Sequence, residues 1–297
     1  MPKKKYKTSI VGAGKVGSVI AALLHEKGFP IVSVVDINLR AATQLARKVK
    51  CKQVSDSFSG IHKNTDLLFI TTPDDVIATA AEGIAAESRL KFKNLTAIHT
   101  SGVHTSAVLL SLKKKGSTTL SFHPVQSFPK DISLTELKKS IKGIYFGVEG
   151  DEKSRILASH LVSLLGGKTI FLDKKDKPLY HLACVFASNY IVTILDVVSV
   201  ISGKLKLKQS WAKVFLPLII TALENALTTT PRQALTGPIE RGDFETVKTH
   251  IKELKKYIPQ TTGLYSALAI ETAKLAFSKG SITREQFKEI NKLLEKT

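Results

Sequence analysis

The sequence predicts an α/β N-terminal half, built on a doubly wound parallel sheet, followed by an all-α C-terminal half. Three observations predict it. Short β-branched runs alternate with helical periodicity as far as residue 172, the pattern of a parallel sheet covered on both faces. A glycine-rich turn, Gly12-Ala13-Gly14-Lys15-Val16-Gly17, follows the first run and opens the first helical stretch. Beyond Asp173 the strand signals stop and only helical periodicity continues.

In order, residues 6–11 and 31–35 read as buried strands, and residues 15–27 and 39–49 as the helices that follow them. Runs at 67–70, 95–98, 118–122 and 144–148 continue the strand series, and a helix near 151–165 leads to a last strand at 168–172. Helices are then expected at 177–201, 209–227, 244–257, 261–277 and 284–294. The polar stretch Asp173-Lys174-Lys175-Asp176-Lys177-Pro178 reads as a linker, with Pro178 in the first turn of the next helix. The expected domains are therefore residues 1–173 and 174–297.

Composition bounds the function. With 297 residues, 43% hydrophobic and 23% charged, the chain has the balance of a folded globular protein. Its formal charge is +19, and the 44 basic residues divide into 37 Lys and 7 Arg. The lysines are scattered and not interleaved with aromatics, which argues against nucleic acid as the partner and for a surface that favours small anions. Two cysteines, Cys51 and Cys184, cannot make a disulfide framework, so a reducing cytoplasm is expected. Asp196 interrupts the longest apolar stretch, so no membrane span is expected.

The turn at 12–17 fits GxGxxG in its proper context, with a strand before and a helix after. Gly12 permits the tight turn, Gly14 lets backbone approach a pyrophosphate, Gly17 lets helix pack on strand, and Lys15 and Val16 begin the helix whose N-terminus faces phosphate. Asp36, at the end of the second strand, is placed to accept hydrogen bonds from a ribose diol. This is the Rossmann-type fingerprint, and it implies NAD or NADP. Asp36 favours NAD, while Arg40, four residues on, offers a charge for a 2′-phosphate. Later strand ends should line the same crevice: Thr72 and Pro73 beside the cofactor, then His99 and Ser101, then His123. No His or Cys spacing matches a metal motif, so no metal is expected.

The helix that opens the C-terminal half is apolar nearly all round, which predicts burial. On a helical projection at ~100° per residue, His181, Ser188, Asn189, Thr193 and Asp196 fall within about 140° of one another. Such a stripe needs partners, either other side chains or a substrate. The turn Thr236-Gly237-Pro238-Ile239-Glu240-Arg241-Gly242-Asp243 separates two helices, with Asp243 as the expected N-cap and Arg241 placed to grip a carboxylate.

Val11-Gly12-Ala13-Gly14, Thr72-Pro73-Asp74, His99-Thr100-Ser101-Gly102, Phe122-His123-Pro124, Tyr180-His181, Ser188-Asn189, Leu235-Thr236-Gly237-Pro238 and Arg241-Gly242-Asp243 occur in that order over nearly the whole chain. Together they resemble the Rossmann-like oxidoreductases whose helical C-terminal half is a domain of unknown function. That family is similar in layout to the 6-phosphogluconate, β-hydroxyacid and ketopantoate dehydrogenases and to pyrroline-5-carboxylate reductase. The resemblance implies a nicotinamide dinucleotide and a homodimer formed through the helices. It also implies a catalytic Lys one turn before Asn189, where this sequence has Val185. His181 is the expected substitute, since imidazole titrates near neutrality. The expected activity is hydride transfer to or from a small anionic carbonyl or hydroxy compound, of 2- or 3-oxo acid type. His181, Asn189 and Ser101 would be catalytic, with His99, His123, Ser188 and Arg241 on the substrate. A dinucleotide sensor without chemistry and hydride exchange with a deazaflavin are the alternatives.

Overall fold

The computed structural model describes residues 5–295, and the chain divides into two compact units between Ser188 and Asn189. This division falls later than the boundary expected at residue 173 and keeps the first turns of the next helix with the sheet.

The first unit carries an eight-stranded sheet in the order β3-β2-β1-β4-β5-β6-β7-β8. Its strands are β1 (Thr8–Val11), β2 (Ile31–Val35), β3 (Val54–Ser55), β4 (Leu67–Ile70), β5 (Thr96–His99), β6 (Thr118–Pro124), β7 (Tyr145–Gly150) and β8 (Lys168–Phe171). Its helices are α1 (Lys15–Glu26), α2 (Leu39–Lys48), α3 (Ile77–Ala85), α4 (Leu110–Lys114), α5 (Leu134–Ile141), α6 (Glu152–Leu165) and α7 (Lys177–Val185). All strand pairs are parallel except β6 with β7, which run antiparallel with Ser121 opposite Glu149. That pair departs from the all-parallel expectation.

Alternation along the strands sends Ile10, Val34, Phe69, Ile98 and Phe122 into one core and Val11, Val35, Leu68, Ile70 and Ala97 into the other. Both faces are therefore filled, as helices on both sides of the sheet require. Local chemistry sets the helix starts: Asn38 accepts from the Ala41 N–H at 3.1 Å, Ser133 and Glu136 form a capping box, and Asp151 accepts from the Ser154 N–H at 2.9 Å. The α1 helix is different, since Gly14 caps it with no side chain and leaves its first N–H groups open.

A π-helical turn, Phe186–Tyr190, follows α7 and interrupts the single helix expected over residues 177–201. The second unit comprises α8 (Ile191–Ser202), α9 (Trp211–Thr228), α10 (Pro231–Ala234), α11 (Phe244–Tyr257), α12 (Thr262–Lys279) and α13 (Arg284–Glu295). Its core joins Val247 and Ile251 to Ala269, Ala273, Ile290 and Leu294. Burial of the apolar helices is not observed: Ser202 is the sole buried residue of α8, and α9 has none. Residues 174–202 and 211–228, with mean hydropathies of 1.9 and 1.2, are long and apolar enough to cross a membrane, in contrast to the expectation of no such stretch. The Asp196 carboxyl is too little to offset the leucines, isoleucines and valines around it.

Candidate functional site

Strands β1 and β4 are parallel neighbours although β2 and β3 lie between them in sequence, so the strand order reverses here and leaves a crevice at their carboxyl ends. Gly12 turns there with φ +99°, and a Cβ on it would lie 2.7 Å from the Thr71 carbonyl carbon. A Cβ on Gly17 would run into the Gly12 carbonyl oxygen and Thr71 Oγ1. Thr71 closes the turn by donating from Oγ1 to Gly12 O at 2.7 Å. Gly14 alone faces free space, with no atom within 4 Å of its would-be Cβ.

Asp36 reaches the same turn. One carboxyl oxygen accepts from the Ala13 N–H at 2.6 Å and the other from the Asn38 N–H at 2.8 Å. A cavity of about 680 Å³ opens beside it, lined by Gly12, Gly14, Asp36, Thr72 and Pro73, with Phe58 and Val76 among its apolar walls. Thr72 Oγ1 is buried there without a hydrogen-bond partner. Open space over Gly14, free N–H groups on α1 and an unsatisfied hydroxyl fit the pyrophosphate and ribose of a dinucleotide. Arg40 is exposed on α2 and is not among the residues that line this cavity. Lys15 and Val16 also turn away from it, lining a second cavity of about 710 Å³, and Lys15 Nζ donates to Ile132 O at 2.8 Å.

The ends of β5 and β6 carry the second cluster. His99 is fully buried; its Nδ1 accepts from the Ser101 N–H at 3.2 Å and its Nε2 bonds Thr105 O at 3.1 Å. Burial, reinforced by the Lys177 charge, pushes His99 down to about 3. Both nitrogens are committed, so His99 shapes the turn and cannot hold a substrate. Ser101 is buried as well, and its Oγ accepts from the His104 N–H at 3.1 Å, which leaves its own O–H as a donor.

His123 and His181 are half-buried and meet edge to face, with ring centroids 6.1 Å apart. They enclose Gly102, where a Cβ would touch the His181 ring and lie 3.0 Å from His123 Nε2. His123 Nδ1 shares a 2.8 Å hydrogen bond with the Tyr180 hydroxyl. Burial and then the Lys177 charge push His123 down to about 4, while burial pushes the Tyr180 phenol up. At neutral pH the pair is an uncharged imidazole beside a protonated phenol.

Beneath them lies Lys177, whose charged neighbours in sequence look like a linker. It is fully buried, and its Nζ donates to Ser101 O at 3.1 Å and to Ser121 Oγ. Burial lowers it to about 8, with Glu149 and Asp74 working in the other direction. Glu149, also buried, accepts from the Ser106 N–H and, at 3.0 Å, from Ser106 Oγ. Tyr180, Gly102, Lys177 and Glu149 are absent from the site expected from sequence; Tyr180 beside His181 and Gly102 after Ser101 carry a signal, each within a motif already quoted, while Lys177 and Glu149 carry none.

Ser188 is half-buried in the π-turn, where the changed helical pitch breaks the expected stripe. Asn189 and Arg241 belong to the second unit and are exposed there. Asp243 caps α11 as expected, accepting from the Thr246 N–H at 3.1 Å.

Residues 1–124 match the family model of a Rossmann-like domain, and residues 144–272 match DUF2520, a domain of unknown function. The DUF2520 match begins near β7 and therefore takes in Glu149, Lys177, Tyr180 and His181 as well as the second unit as far as residue 272. BF3122 of Bacteroides fragilis, described provisionally as an NADP oxidoreductase, is 23% identical with a TM-score of 0.77, covering 91% of this chain and 98% of that one. TM1727 of Thermotoga maritima is 24% identical with a TM-score of 0.68, covering 92% and 99%. Pyrroline-5-carboxylate reductase of Coxiella burnetii is 17% identical with a TM-score of 0.54, covering 97% and 99%. At these identities the likeness establishes the shared fold. No curated protein sequence matches the chain significantly.

Proposed function

We propose that this Rossmann-like DUF2520 protein is an NAD(P)-dependent oxidoreductase acting on a small anionic carbonyl or hydroxy compound of 2- or 3-oxo acid type. The observation that carries the proposal is the free space over Gly14 at the sheet's reversal point, beside Asp36 and the unsatisfied Thr72 hydroxyl. The nicotinamide ring, when bound, supplies or accepts the hydride. Gly12, Gly14 and the first N–H groups of α1 cradle the pyrophosphate, and Asp36 takes the ribose diol. The lining includes Asp36 and Asp56 but no Lys or Arg, which supports NAD over NADP. His181 handles the proton, with His123 and Tyr180 orienting the substrate oxygen.

Gly14→Val tests the cofactor half of this reading. The added side chain enters space that no protein atom occupies, so the fold should persist while NADH affinity falls at least ~100-fold. Unchanged NADH affinity would overturn the assignment. His181→Ala tests the chemistry and should lower kcat by ~10²–10⁴ with cofactor affinity nearly intact. A fall in melting temperature without loss of rate would remove His181 from the mechanism. Cofactor binding without turnover of any oxo acid would leave a dinucleotide sensor.

We also propose a homodimer formed through α8 and α9. Val214, Leu216, Leu218, Ile220, Leu223 and Leu227 of α9 are all exposed, at 39–83%, a surface larger than isolated apolar residues make. Light scattering at micromolar concentration should give twice the 32.4 kDa chain mass. A single-chain mass, or flotation with lipid vesicles, would overturn the dimer.

A further inference from the structure

We propose that Lys177 is a positioning residue: its buried ammonium pins the Ser101-Gly102 turn against which His123 and His181 pack. The inference rests on the reading of that cluster as the proton-transfer site. Lys177 begins α7, and His181 stands one helical turn above it on the same face. The Nζ bonds to Ser101 O and Ser121 Oγ therefore tie β5, β6 and α7 together at one point, directly below Gly102. A shift of Ser101 moves Gly102, whose missing side chain is what lets the two imidazoles meet.

The cost of this arrangement argues for its purpose. Taking an ammonium out of water costs several kcal/mol, and a methionine fills a similar volume without that penalty. What methionine lacks is a donor for the Ser101 carbonyl. The antiparallel pairing of β6 and β7 supplies the compensation by setting Glu149 opposite Ser121. The groups facing Lys177 are Glu149 of β7, His99 of β5, His123 of β6, Cys184 of α7 and Asp74 ahead of α3. Carboxyls and imidazoles both act on the lysine, which is the charged centre of the cluster.

The test uses the full chain without cofactor, followed by proton–carbon NMR of the histidine rings. Lys177→Met should weaken the Overhauser contact between Gly102 Hα and His181 Hδ2 and raise the His123 titration by ~1 pH unit. The double variant Lys177→Met/Glu149→Gln removes charge and counter-charge together; it carries the same test should the single variant fail to fold. It should recover thermal stability without recovering the contact. With cofactor and substrate, kcat should fall ~10²-fold with KM little changed, as expected for a misplaced proton donor. An intact contact and an unmoved His123 titration in the double variant would make Lys177 an ordinary core residue and overturn the proposal. Failure of NADH to bind the unaltered chain would instead sink the oxidoreductase reading and leave the NMR result standing.

Discussion

In the sheet, Phe69, Phe122 and Phe146 are fully buried and touch one another, with ring centroids 6.1 Å and 4.8 Å apart, whereas no residue of α9 is buried. Both regions are rich in large apolar side chains, so composition does not separate them. What separates them is where the covering surface comes from. The central strands of the sheet find helices of their own unit above and below, while the leucines of α9 find no cover among the described residues. Hydrophobicity in a sequence therefore predicts that a surface will be buried, without saying by which molecule.

Substitutions can break this comparison. Phe122→Ala, in the closed core, should cost ~3–5 kcal/mol in denaturant unfolding. A cost below 1 kcal/mol would mean that the aromatic cluster is loosely packed. Acid should come next. His99 and His123 sit near 3 and 4 in the folded chain, against 6.5 for a free imidazole, so the unfolded chain takes up protons that the folded one refuses. Stability is thus unaffected by them above about pH 6.5 and falls as pH drops from there toward 4, by a few kcal/mol at ~1.4 kcal/mol per unit. Unfolding curves at pH 7.5 and 4.5 check this, and His99→Gln should flatten the difference. Leu218→Glu, on a residue 67% exposed in the single chain, should leave unfolding of the sheet unchanged and weaken the proposed dimer by ~2 kcal/mol, roughly 30-fold. Sedimentation equilibrium reads that shift. Smallest of all, Glu271→Gln removes the exposed pair with Lys274 and should move the unfolding free energy by less than ~0.5 kcal/mol.

Much of the sheet unit was legible because strand and helix periods are local properties. The runs at 31–35 and 67–70 fall on β2 and β4, and the turn at 12–17 lies where its glycines put it. The two-residue β3 is too short to show a period. The reversed direction of β7 was hidden because the apolar pattern of Tyr145–Gly150 does not tell one strand direction from the other, and the α5 helix before it suggests a parallel crossover. Lys177 was hidden for a stronger reason. A lysine among Asp173, Lys174, Lys175 and Asp176 looks like solvent-exposed linker, and only Ser101 and Ser121, 76 and 56 residues away, draw it inside. His181 could be picked from its neighbours in sequence, but its meeting with His123 over Gly102 is a product of the fold.

Asp36 is already at work before any ligand arrives. Its two oxygens hold the Ala13 and Asn38 amides, which fixes the glycine turn in the shape that a pyrophosphate would meet. An ionised carboxyl offers about four lone-pair positions, so two remain for a ribose diol. The acid is then a rigid hinge-pin that needs no rearrangement on loading. Association should accordingly follow a single kinetic phase, its rate proportional to dinucleotide concentration without a slow isomerisation plateau.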